Sequence, residues 1–111
     1  MVEPNPKYLD EVRSILFNSL PKHSVRIYLF GSWARGKAQR ISDIDVGIWP
    51  LQALPPAQLS RLREQFEESH IPYPVEIVDL STVSPEFRER VLKEGILWND
   101  FENASPSPKK L

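Results

Sequence analysis

The chain is predicted to fold as an α/β (α+β) domain, a small mixed β-sheet with helices on one face. Three observations lead there. Short runs with alternating apolar residues recur along the chain, segments of helical period lie before and between them, and Gly or Pro marks nearly every joint. A length of 111 residues allows one modest hydrophobic core.

Tyr8, Leu9, Val12, Ile15, Leu16 and Leu20 repeat at helical spacing, which predicts an amphipathic helix over Lys7–Leu20 closed by Pro21. Val25, Ile27 and Leu29 alternate with Arg26, Tyr28 and Phe30 and predict a strand ending at Gly31. Ser32–Gly36 has room for about one helical turn. Ile44, Val46 and Ile48 alternate with Asp43, Asp45, Gly47 and Trp49 as a second strand. Pro56 with Leu59, Leu62 and Phe66 predicts a helix running to Ser69, and Val75–Asp79 a third strand. Ser84 as N-cap, Pro85 in the first turn and Gly95 after Lys93 and Glu94 bracket a last helix. Ile96-Leu97-Trp98 can add a short edge strand. Residues 1–98 are thus the domain, and 99–111, polar with Pro106, Pro108 and two lysines, read as a disordered tail.

Connection lengths set the topology. The link from Phe30 to Asp43 is near the lower limit for a parallel crossover, so an antiparallel return is expected. The link from Trp49 to Val75 carries a full helix and suits a parallel crossover. Gly31 and Ser32 at the exit of the first strand, Asp43 and Asp45 at the start of the second, and Glu76 at the start of the third then converge on one sheet edge. By strand parity Asp43, Asp45 and Glu76 share a face, opposite Ile44, Val46, Ile48, Val75 and Ile77. Asp79 falls on the other parity at the far end and reads as a turn residue.

Two neighbouring carboxylates repel each other unless a cation lies between them. Mg²⁺ is normally held by one or two carboxylates plus substrate phosphates, and a third acid, Glu76, permits a second ion or a general base. Gly31 lets phosphate approach the backbone, and the amides of Ser32–Arg35 with the Ser32 hydroxyl can form an anion nest. Arg35, Lys37 and Arg40 add local positive charge, although a solvated loop explains Lys37 and Arg40 equally well. Trp33 fits an exposed lip, a base-stacking platform or a partner contact. His23 and His70 read as surface residues, Trp49 and Trp98 as packing or interface groups.

Composition narrows the function classes. No cysteine is present, so disulfides, thiolate metal sites and thiol nucleophiles are excluded. A net charge of −1 offers no general attraction to nucleic acid or acidic membrane. No apolar run approaches the roughly 20 residues of a membrane span, and the start of the chain is unlike a secretory signal. A cytoplasmic protein that binds neither nucleic acid nor membrane is expected.

The pattern Gly31-Ser32, ten residues, Asp43-x-Asp45 resembles the signature of the minimal nucleotidyltransferase (MNT) family of the DNA polymerase beta-like superfamily. Ala34-Arg35-Gly36, Ser42-Asp43-Ile44-Asp45, Val75–Leu80, Ser84-Pro85-Glu86-Phe87 and Lys93-Glu94-Gly95 are similar to the family's wording, so the likeness spans Tyr8–Trp98. Glu76 departs from it, since many small members carry Asp there. The resemblance implies a polymerase beta palm-like fold and a Mg²⁺-dependent enzyme that moves AMP from ATP. The acceptor it implies is a tyrosine hydroxyl of a HEPN-domain toxin, for which such proteins are antitoxins. On that footing Asp43, Asp45 and Glu76 are metal and catalytic residues, while Gly31, Ser32 and Arg35 hold the triphosphate. A hetero-oligomer with the toxin follows, because this length leaves no second domain to position an acceptor. Two rival readings are an antitoxin that only occludes its toxin and a subunit of a small-molecule nucleotidyltransferase.

Overall fold

The computed structural model describes residues 7–21, 23–37 and 42–99. Arg40 and residues 100–111 of the expected tail lie outside the described residues. In chain order the elements are α1 (Lys7–Ser19), β1 (Val25–Phe30), α2 (Gly31–Ala34), β2 (Ile44–Pro50), α3 (Gln58–Glu67), β3 (Val75–Asp79), α4 (Pro85–Glu94) and β4 (Ile96–Leu97). They form an α/β domain around a four-stranded mixed sheet of order β3-β2-β1-β4. β2 returns antiparallel to β1, and β3 runs parallel to β2 after the α3 crossover. Both orientations follow from the connection lengths, since only the second link is long enough to hold a helix and come back in the same direction.

The period-2 pattern of the strands determines what the helices cover. Val25, Ile27, Leu29, Ile44, Val46, Ile48 and Ile77 form one face, and Val12 and Leu16 of α1 with Leu62 and Phe66 of α3 pack on it as the main core. Ile27 lies across from Ile48 and Leu29 across from Val46, so the apolar side chains are matched pair by pair.

Helices were expected on one face only, and here the structure differs. α4 lies on the opposite face, where Val91 and Phe87 pack with Tyr28, Leu80, Phe30, Trp49 and Val78. The reason is the aromatic content of the alternate positions. Tyr28, Phe30 and Trp49 carry too much apolar surface for a face left wholly to water, and α4 buries it. Gly47 leaves room on this face for Leu80, whose side chain would stand 3.0 Å from a Cβ there.

The ends of α4 follow local rules. Ser84 Oγ accepts the Phe87 N–H at 3.2 Å, and Asp79 Oδ1 accepts from Ser81 N–H at 2.9 Å in the turn before it. At the other end Gly95 keeps an ordinary extended backbone (φ −77°). Its requirement is space, because a Cβ would stand 2.6 Å from the Val91 carbonyl oxygen and 3.1 Å from that of Leu29.

Asn99, placed at the head of the tail in the sequence reading, is instead part of the fold. It is 6% exposed, its Oδ1 accepts the Ile27 N–H at 2.7 Å, and its Nδ2 donates to the Val25 carbonyl at 2.8 Å. β4 pairs β1 only at Tyr28 and Leu29, so this amide serves backbone groups of β1 beyond the end of β4. Asn99→Ala removes both bonds and leaves them buried. The expected cost is about 1–3 kcal/mol, read as a lower midpoint in urea unfolding, with no change in slope.

Candidate active site

Three registers build the site. Phe30 stands opposite Asp45, so the first residue after β1, Gly31, arrives at the Asp45 carboxylate. Asp45 in turn stands opposite Glu76 on β3. By parity Asp45 and Glu76 project from the same face, the one that carries Phe30 and Tyr28. Asp43 lies two residues before Asp45, just ahead of β2, and is exposed; Asp45 is half-buried and Glu76 exposed.

Gly31 is the tightest part of the arrangement. Its backbone has φ +77°, a conformation costly for residues with a Cβ. A Cβ built there would collide with Asp45 Oδ2 and stand 3.1 Å from the carboxyl carbon. The turn and the acid can be this close only because the residue is glycine. The α2 turn that follows brings the Arg35 and Lys37 amides back onto it, donating to Gly31 O at 3.1 Å and Ser32 O at 2.8 Å.

Electrostatics reports the same crowding. Burial first, then the charges of Asp43 and Glu76, push the Asp45 carboxyl above its ordinary value of 3.8, and Arg35 pulls the other way. Asp45 therefore stands in the field of two neighbouring carboxylates, with Arg35 as its local counter-charge. The donors are hard oxygens of the kind Mg²⁺ takes. Among the described residues, though, no three acidic or His side chains stand close enough to hold a metal by themselves. That set fits an ion whose remaining ligands are phosphate oxygens and water, the usual condition for protein-bound Mg²⁺.

Trp33 departs from all three roles considered for it. Only 9% exposed, it packs edge-on against Tyr73 at 5.1 Å, and its Nε1 donates to the Ser42 carbonyl at 3.3 Å. It thereby ties the α2 turn to the residue before Asp43 and to the approach to β3, holding the two halves of the site together. Sequence reasoning missed this positioning role; the signal available was a large aromatic inside the Gly-Ser to Asp-x-Asp interval. Trp98 is half-buried on the core with the Arg13 guanidinium 5.6 Å from its ring, and Trp49 lies under Arg88 at 5.2 Å. Neither is the bare interface aromatic that the sequence allowed. Lys37, His23 and His70 are exposed. Among the described residues, no helix is long and apolar enough to cross a membrane.

Comparison with known proteins identifies the family. The family model described as "Polymerase beta, Nucleotidyltransferase" matches residues 15–100. The chain is 34% identical to "Probable protein adenylyltransferase MntA" of Haemophilus influenzae over 100 residues, covering 90% of this chain and 86% of that one. Among solved structures it is similar to a toxin–antitoxin crystallised with AMP-PNP, at 28% identity and a TM-score of 0.68, covering 84% of this chain and 74% of that one. At 24% identity and a TM-score of 0.61, the fold is also that of a chain in a complex of tri-AMPylated Shewanella oneidensis HEPN toxin with MNT antitoxin, covering 84% and 71% of the two chains. The chain therefore belongs to the polymerase beta nucleotidyltransferase family and is itself a nucleotidyltransferase.

Proposed function

We propose that this nucleotidyltransferase transfers AMP from ATP to a tyrosine hydroxyl of a HEPN-type toxin, with Mg²⁺ as cofactor, and silences that toxin as its cytoplasmic antitoxin. The observation that carries the reading is the double register of Asp45, opposite the Phe30–Gly31 turn on one side and Glu76 on the other. The Gly31 backbone then meets Asp45 and Glu76 on one sheet face, with Asp43 two residues before Asp45. The toxin–antitoxin chain that was crystallised with AMP-PNP supports an adenine nucleotide as donor. The HEPN toxin of the Shewanella complex, itself tri-AMPylated, supports a protein acceptor of that type.

Each residue has a physical task in this reading. The Gly31–Ser32 backbone and the Arg35 guanidinium hold the β- and γ-phosphates, leaving the α-phosphate over Asp43 and Asp45. These two aspartates would hold Mg²⁺, which supplies charge neutralisation at the phosphates and a lowered pKa for the attacking hydroxyl. The hydroxyl oxygen forms a bond to the α-phosphorus in line with the bridging oxygen, whose bond to it breaks. Pyrophosphate leaves with that electron pair. The hydroxyl proton passes to a site carboxylate, and Glu76, exposed on the edge strand beside Asp45, is positioned for it.

The test is to incubate the chain with its toxin partner and labelled ATP. The wild type is expected to label the toxin, and Asp43→Asn with Asp45→Asn to lose transfer to background while keeping its circular dichroism spectrum. Neutralisation of the toxin with no label on it would instead mean occlusion alone. Gly31→Ala is expected to reduce transfer about 100-fold, because it displaces the carboxylate by roughly an ångström.

Without a bound cation the ionised Asp45 carboxylate opposes folding. Since the folded-state pKa of Asp45 is raised, the protein binds this proton more tightly folded than unfolded. Its contribution to stability is most favourable below 3.8 and is lost as pH rises through the raised folded value. Asp45→Asn should therefore melt higher than wild type at pH 7 in EDTA, and the gap should close as the pH is lowered toward 3.8. A variant melting below wild type in EDTA would contradict the crowding of the three carboxylates.

A further inference from the structure

The end of the acid-bearing face away from the site carries a second cluster of charge. Arg26 on β1 stands opposite Trp49 on β2, and by parity both project from the face that carries Asp45. Side chains so paired have Cβ atoms about 5 Å apart. From α4 the Arg88 guanidinium lies over the Trp49 ring, 5.2 Å from its centroid. All three side chains are half-buried. Two guanidinium groups thus gather at one indole, and among the described residues neither has an ion-pair partner. The Arg88 Nε is sealed from solvent yet donates no hydrogen bond, so no acceptor of the described chain offsets that cation on its buried side.

We infer that Arg26 and Arg88, gathered at Trp49, form a docking site for an acidic side chain of the partner toxin, separate from the transfer site. The inference rests on the proposed partnership with a toxin and adds where that partner is gripped. Charge and shape both point to a carboxylate. A guanidinium fork holds a carboxylate by two parallel bonds, and the indole under Arg88 fixes the fork beforehand, which lowers the ordering cost of binding. Arg and Trp are also the residue types that dominate binding energy at protein interfaces. A nucleic acid strand suits the cluster less well. Glu86 and Glu89 are exposed on the same helix beside Arg88 and would repel successive phosphates, whereas one acidic side chain can avoid them. The placement fits a partner that also reaches the acids. Arg26 precedes Phe30 by four residues along β1, or about 13 Å. A standard interface of about 800 Å² per partner is roughly 30 Å across, so a toxin seated over α4 can touch both ends of this face.

The full-length chain and its toxin partner would be titrated calorimetrically without ATP, at about 0.05 M and about 0.5 M salt, between which the screening length falls about three-fold. Arg26→Ala is expected to weaken toxin affinity about ten-fold at the lower salt and less at the higher. Arg88→Lys keeps the charge but not the planar fork, and about a five-fold loss is expected. Both variants should keep the wild-type circular dichroism spectrum and ATP affinity, and label the toxin with unchanged kcat and a higher KM for it. Unchanged toxin affinity in either variant overturns the inference. So does a loss of affinity for a short single-stranded RNA in place of the toxin, which would assign the cluster to phosphate. If the arginines are needed for toxin binding but the bound toxin is never labelled, the transfer reading falls and this one stands. If wild type labels the toxin and the variants bind it normally, only this inference falls; a wild type that binds no toxin ends both.

Discussion

The structure turns on one close approach, the backbone of Gly31 against the carboxylate of Asp45. Because β1 and β2 are antiparallel with Phe30 opposite Asp45, the chain leaves β1 directly over the acid-bearing end of β2. A side chain on Gly31 would force the two apart, and with φ +77° it would also strain the turn. The Gly31 turn and the Asp45 carboxylate are therefore placed by a single piece of backbone geometry. The parallel register of β3 then brings in Glu76.

That arrangement is held from the side by groups without catalytic chemistry. Trp33 fastens the α2 turn to Ser42 and Tyr73, and Asn99 completes the hydrogen bonding of β1 beyond the short β4. Asp45 itself works against folding when ionised, since burial and two neighbouring charges raise its carboxyl. The main core lies on the other face, from Val12 and Leu16 through Ile48 and Leu62.

Much of this was legible in the sequence, and the exceptions have physical reasons. The alternation of Ile44, Val46 and Ile48 with Asp43 and Asp45 determined which residues share a face, and link length determined strand direction. Both depend on local geometry that tertiary packing seldom overrides. The placement of α4 was not legible, because Tyr28, Phe30 and Trp49 hold the alternate strand positions that also carry Arg26, Asp43 and Asp45, so the pattern alone reads that face as open to water. Trp33 looked exposed since its burial depends on Tyr73, forty residues away and brought close only by the α3 crossover. Asn99 read as tail because its partners are backbone groups of β1, which no side-chain pattern reveals. The convergence of Gly31, Asp45 and Glu76 was predictable; the gathering of three acids into metal-ligating range was not, and among the described residues it is not seen.

The most direct measurement of the central claim is anomalous diffraction from crystals of the chain grown with Mn²⁺ and a non-hydrolysable ATP analogue. The account predicts a manganese peak coordinated by carboxylate oxygens of Asp43 and Asp45 and by analogue phosphate oxygens, with the Gly31–Ser32 backbone on the outer phosphates. A peak elsewhere, or an ordered nucleotide whose phosphates avoid both the aspartates and the glycine turn, would contradict it.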